Sequence, residues 1–167
     1  RASQTYDGVG VDFFGPLAAA LIDRAGLGAG DSALDLGCGR GAALFEAARL
    51  VGPDGHVVGV DLADGMVERT AADVVRRGLG QVQVRHGDAD HPPARAGGWD
   101  AVSASFVLFF LPDPTATAAR VRAVLRPGGG FVVSTFDPIR ARALELLDDP
   151  AELDRILGAN ADRAAEI

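Results

Sequence analysis

At 167 residues, 48% of them apolar, the chain suffices for one domain with a buried core, and 16 cationic against 23 acidic side chains leave a net charge of −7 that repels a nucleic-acid backbone on average. A single cysteine, Cys38, excludes an internal disulfide and a zinc site built on several thiolates. No apolar run approaches the ~20 residues that span a bilayer, and without a charged-then-apolar leader the chain reads as cytoplasmic.

Every cation is an arginine, the mark of a GC-rich, bacterial genome; Arg76, Arg77 and Arg85 are the nearest thing to a basic patch and read as a solvated face. The first element in chain order is an amphipathic helix over 13–24, with Phe14, Leu17, Leu21 and Ile22 on one side. Short runs rich in Val and Leu then recur at 32–36, 57–60, 82–85, 101–104 and 131–134, each apolar on both faces. Helical spacing fills 42–50, 66–77 and 115–125 between them, the last with Asp113 to cap it and Pro114 in its first turn. This alternation predicts an α/β fold with a parallel sheet covered by helices on both sides. Pro127-Gly128-Gly129-Gly130 reads as the turn that launches the fifth strand, and 139–167 as two helical segments broken near Asp148-Asp149-Pro150.

The first predicted strand ends in Leu34-Asp35-Leu36-Gly37-Cys38-Gly39-Arg40-Gly41, three alternating glycines ahead of a helix. Glycines there let the chain turn sharply and let a ligand approach without a Cβ in the way. The dinucleotide pattern Gly-x-Gly-x-x-Gly would put its third glycine at the position of Ala42; here it comes one residue earlier, at Gly41. Asp35, inside the strand end, needs a polar partner, either a backbone amide of the turn or a cationic ligand group. An ammonium or sulfonium suits that environment better than a pyrophosphate. Asp61 ends the second strand, where it can accept from both hydroxyls of a ribose or cap the next helix. Asp88, in His86-Gly87-Asp88-Ala89 after the third strand, can accept from an exocyclic amine or serve as a turn aspartate. Three successive strands thus deliver a carboxylate to the edge where open α/β sheets bind ligands.

These motifs, in this order from about Tyr6 to Asp137, resemble class I S-adenosylmethionine-dependent methyltransferases, particularly small-molecule enzymes of the ubiquinone/menaquinone-biosynthesis type. The resemblance implies a Rossmann-like, doubly wound sheet of strand order 3-2-1-4-5, with residues 1–137 as the cofactor-binding core and 138–167 as a helical extension of the same domain. It implies that Asp35, Gly37, Cys38, Gly39 and Gly41 surround the methionyl part of S-adenosyl-L-methionine, the source of the product S-adenosyl-L-homocysteine. It puts Asp61 on the ribose, Leu62 and Met66 near the adenine, and Gly87, Asp88 and Ala89 along the adenine edge. Ser105 joins the cofactor set, while Tyr6, Phe14 and Phe106 form a lid over cofactor and acceptor. Leu125-Arg126-Pro127-Gly128-Gly129 is similar to the structural signature before the family's fifth strand.

The chain departs from that pattern in two places. Relatives often carry a histidine near positions 109 or 110, where this chain has Phe109 and Phe110; with Phe106 these read as packing or pocket-lining groups, at least two of them in the core. The family's final antiparallel strands have no counterpart, which leaves a bare fifth-strand edge and reads as a fragment or as an acceptor pocket completed elsewhere. The activity implied is methyl transfer to an O, N or C atom of a small-molecule acceptor by in-line displacement, with positioning as the main lever. No metal and no catalytic base is assigned, for His86 and His91 read as surface histidines. The competing readings are a module that binds the cofactor without turnover and, behind it, an NAD-dependent oxidoreductase. Nucleic acid and membrane are not expected partners; the oligomeric state stays open, a homodimer included.

Overall fold

The computed structural model describes residues 14–135. Helix α1 (Phe14–Asp23) leads into strand β1 (Ser32–Leu36), and alternation continues through α2 (Ala42–Val51), β2 (His56–Asp61), α3 (Asp64–Arg76), β3 (Val82–His86) and β4 (Trp99–Ser105). A 3-10 turn, Leu108–Phe110, precedes α4 (Pro114–Val124) and β5 (Leu125–Ser134). The strands form one sheet in the order β3-β2-β1-β4-β5, and every pairing is parallel. This is the predicted order. It brings the carboxyl ends of β1, β2, β3 and β4 to a common edge, with the reversal of strand order falling between β1 and β4. Among the described residues no helix is long and apolar enough to cross a membrane.

The apolar runs work because alternate residues face opposite sides of the sheet. Ala33 and Val57 join Ala18, Ile22, Leu44 and Val51 in one buried cluster, while Leu34, Leu36, Val58 and Val60 join Val102 and Val121 in another. Leu34 and Leu44, one in each cluster, are fully buried, and each such side chain stabilises by ~1.5–3 kcal/mol relative to exposure. In α1 the inward face is Ala18, Leu21 and Ile22, whereas Leu17 is more exposed than its spacing predicts. At α4 the capping prediction holds: the Asp113 carboxylate accepts from the backbone N–H of Thr115 and Ala116 at 3.0 Å each, and Pro114 fills the first turn.

The glycine-rich turn before the fifth strand differs from prediction. Strand β5 begins at Leu125, which pairs with Trp99; residues 126–129 then leave the ladder, and pairing resumes with Gly130 opposite Ala101. The stretch is a bulge inside a strand. It is pinned by Asp100, which accepts from Ser32 N at 2.8 Å and Ser32 Oγ at 2.7 Å and pairs with the Arg126 guanidinium. Burial opposes ionisation of Asp100, but the two Ser32 bonds and Arg126 outweigh it and hold the carboxyl at about 2.

Arg76 and Arg77 are each engaged separately rather than forming a patch. Arg76 pairs with Asp73 at 2.8 Å, and the Arg77 guanidinium lies 4.0 Å from the Phe45 ring centroid. Tyr6, the helical segments predicted beyond 139 and the extension at 138–167 lie outside the described residues.

Candidate functional site

Between β1 and α2 the chain turns through Gly37, Gly39 and Gly41 at φ of 64°, 48° and 84°. A side chain at Gly37 would collide with Val107, and one at Gly41 would meet the Phe45 ring at 2.6 Å, so protein fills those two sites. Gly39 is different. Among the described residues nothing lies within 4 Å of where its Cβ would be, so a patch of backbone faces open space.

Neighbouring elements hold that patch in place. Cys38 N donates to Val60 O at 2.9 Å, Gly39 N to Asp61 Oδ2 at 2.8 Å, and Gly41 N to Cys38 O at 2.7 Å. From α3, Thr70 Oγ1 donates to Gly39 O at 2.6 Å. The Cys38 side chain is buried against Gly59, where a Cβ would come within 2.9 Å of its Sγ. Burial, with the charges of Asp35 and Asp61 adding to it, pushes its thiol pKa far upward, so Cys38 is a packing group with its backbone in the loop.

The three aspartates do end adjacent strands, but they do not share one surface. Asp35 is 2% exposed and sits behind the loop, where it accepts from Ser103 Oγ of β4 at 2.7 Å. Burial raises its pKa to about 7 against the pull of the Ser103 bond; the Asp61 charge raises it further, and a bond from the Leu44 backbone opposes. Its polar partner is thus a hydroxyl of the next strand, a residue the sequence did not single out. Asp61 stands at the rim, its two oxygens accepting from Gly39 N and, at 2.9 Å, from Ala63 N. It joins the glycine loop to the residue before α3 without capping the helix, whose N-cap is Ala63, and each oxygen retains a lone pair. Asp88 accepts from Asp90 N at 2.9 Å, the geometry of a turn aspartate, and its side chain is 42% exposed. Gly87 N donates to Asp61 O at 3.0 Å, which ties the ends of β2 and β3 together.

Leu62 is 61% exposed and Met66 is half-buried, so both are available to the rim beside Asp61, whereas the Ala89 side chain belongs to the apolar cluster under the sheet. Beyond β1, Ser105 Oγ lies 3.1 Å from Ser134 Oγ, and Phe106 N donates to Ser134 O at 3.0 Å. Phe106 has φ of 56°, a left-handed conformation that costs a non-glycine residue ~1–2 kcal/mol. The Phe14 ring meets it edge-on at 5.7 Å. The expectation that two of the three phenylalanines enter the core is wrong: Phe106 is half-buried, and Phe109 and Phe110 are 47% and 77% exposed. The cause is local, because the 3-10 turn at 108–110 sends Leu108 inward and leaves the next two rings outside. His86 and His91 are surface side chains, 58% and 71% exposed, with Asp64 at 3.9 Å and Asp88 at 3.5 Å.

Residues 33–129, the stretch that builds this edge, match the family model described as a methyltransferase domain. The chain belongs to the methyltransferase-domain family. It is 50% identical over 129 residues to nocamycin O-methyltransferase of Saccharothrix syringae, an alignment covering 77% of this chain and 46% of that protein. It is 41% identical over 129 residues to aklanonic acid methyltransferase DauC of Streptomyces sp. (strain C5), covering 77% and 59%. Among solved structures, a SAM-dependent methyltransferase from Aquifex aeolicus superposes with a TM-score of 0.59 at 25% identity, covering 66% of this chain and 58% of that one. This methyltransferase domain spans about half the length of the curated relatives it matches.

Proposed function

We propose that the chain is the cofactor-binding core of an S-adenosylmethionine-dependent methyltransferase whose acceptor is a small molecule, methylated on O, N or C. The observation that carries this reading is the bare backbone of Gly39, open where its neighbours' missing side chains are replaced by protein, with the Asp61 carboxylate beside it. The residues present fit the cofactor. A cation is favoured beside the Asp61 carboxylate, whereas a pyrophosphate would be repelled there. When bound, S-adenosylmethionine supplies a methyl group activated by a sulfonium centre.

The chain's own residues bind and orient. Asp61 accepts the ribose hydroxyls, Gly39 admits the methionyl part, Leu62 and Met66 flank the adenine, and the exposed carboxylate of Asp88 accepts from its amine. Phe106 and Phe14 form an apolar wall that excludes water, and Ser105 lies at its foot. Holding two reactants at near-attack distance is worth ~7–11 kcal/mol of barrier, so positioning accounts for the catalysis without an assigned base. The names of two relatives, nocamycin O-methyltransferase and aklanonic acid methyltransferase, support a small-molecule acceptor. We assign residues 1–137 to this core, in a cytoplasmic protein. Transfer of labelled methyl from S-adenosylmethionine tests the reading. Label is expected in small-molecule acceptors and not in nucleic acid; label in nucleic acid alone overturns the acceptor class.

A further inference from the structure

We propose that Thr70 is a positioning residue, one that sets the glycine loop from the far side so that the bare face of Gly39 stays turned to the cofactor. The inference rests on the cofactor reading above and names a residue outside the strand-end motifs that suggested it.

Thr70 lies in the middle of α3 and is fully buried. Its hydroxyl donates to Gly39 O at 2.6 Å, while Asp61 accepts from Gly39 N at 2.8 Å. Both polar groups of the Gly39 residue are therefore held by side chains, Asp61 at the rim and Thr70 from α3, and what Gly39 itself offers the cleft is the Cα. One helical turn further along α3, Asp73 takes the guanidinium of Arg40, the next loop residue, at 3.0 Å and is itself paired with Arg76 at 2.8 Å. Helix α3 thus grips two consecutive loop residues through Thr70 and Asp73, which share one face at a spacing of three.

The orientation matters because Gly39 is held at φ of 48° with no described residue packed over it. A glycine has alternative conformations at little cost, so its native one is selected by its hydrogen bonds and not by side-chain bulk. A carbonyl that loses its buried donor seeks another, and the open side of the loop offers water. Rotation of that peptide would aim an oxygen into the space the cofactor needs. Asp73 and Thr70 are the two buried polar side chains of α3, and each bonds this loop, Asp73 through one of its two oxygens.

The test compares Thr70→Val, which keeps the shape and removes the donor, with Thr70→Ser, which keeps the donor. Affinity for S-adenosylmethionine is read by calorimetry at a temperature where both are folded, and amide hydrogen exchange at residues 37–41 is read without ligand. The valine variant is expected to bind about tenfold more weakly and to exchange faster in the loop while the core of β1 and β4 stays protected; serine restores both to within about twofold. A purely structural threonine would lower the melting temperature and leave both readings unchanged in the folded protein, which overturns the proposal. Should the valine variant not fold, Asp73→Asn carries the test, with about threefold weaker binding and faster exchange at Gly39 and Arg40 expected and unchanged values overturning it. A natural-sequence protein that binds no S-adenosylmethionine overturns the cofactor reading and this inference with it, a result distinct from variants that match the natural sequence.

Discussion

Gly39→Ala separates loss of the ligand from loss of the fold. At φ of 48° an alanine costs ~1–2 kcal/mol, yet no described atom lies within 4 Å of the new methyl, so no collision adds to that cost. The protein should fold with its melting temperature lowered by a few degrees, at ~2–4 °C per kcal/mol for a domain of this size. The methyl instead enters the space assigned to the cofactor, where an extra carbon against a close-fitting surface costs ~1–3 kcal/mol, about fivefold to 150-fold in Kd. Calorimetry with S-adenosylmethionine, alongside a thermal melt, reads both quantities. Gly37→Ala serves as the contrast, because Val107 must move to admit it and the damage falls first on stability. Affinity unchanged in the Gly39 variant would refute the reasoning, for it would mean that the open face of the loop is not where the ligand lies.

Asp61→Ala should weaken nucleoside binding by ~1–3 kcal/mol, the scale of leaving hydroxyl partners unpaired, measured with S-adenosylmethionine and its demethylated product; unchanged affinity would rule out the ribose contact. Asp35 is raised to about 7 by burial, so the native state holds its proton more tightly than the unfolded chain does. Its contribution is therefore complete below the ordinary carboxylate pKa and is lost as pH rises through about 7, a change of up to ~4 kcal/mol at ~1.4 kcal/mol per pKa unit. Urea melts at pH 5 and pH 8 should show the natural sequence losing stability over that interval and Asp35→Asn losing far less; parallel losses would contradict the assignment. Asp100 works in the opposite sense, with stability present above the ordinary carboxylate range and lost as pH falls toward about 2, which Asp100→Asn should abolish in acid melts. His86→Ala and His91→Ala should leave methyl transfer within about twofold, and a loss of a hundredfold or more in either would reinstate a general base, whose usual contribution is ~10²–10⁴.

The strands were readable because the apolar runs are short and spaced by helices, so that even the bounds of β1 follow from the sequence, whereas their order came from the family resemblance; β3, with Gln83 and Arg85 exposed, is not apolar on both faces as expected. Asp113-Pro114 marked the start of α4 for a chemical reason, a carboxylate next to a residue that lacks an N–H. The bulge at 126–129 was not readable as such, since Pro-Gly-Gly-Gly announces a turn without saying that the ladder continues on both sides of it. At the site, glycine spacing located the loop but could not distinguish Gly39 from Gly37 and Gly41. That difference depends on Val107 and Phe45, one of them from the far side of the sheet. Asp35 looked like a rim carboxylate because strand-end position was visible and the inward turn of its side chain toward Ser103 was not. Thr70 carried no motif at all. A threonine on an amphipathic helix declares itself only once the element packed against it is known. The exposed Phe109 and Phe110 failed in the other direction, for hydrophobicity alone does not foresee a 3-10 turn that directs only Leu108, itself half-buried, toward the core.

The most direct measurement is calorimetric titration of the protein carrying this chain with S-adenosylmethionine, S-adenosylhomocysteine and NAD. Saturable one-to-one binding of the two adenosyl ligands, abolished or weakened together by changes at Gly39 and Asp61, is the predicted result. Tight binding of NAD with no binding of either adenosyl ligand would contradict the account.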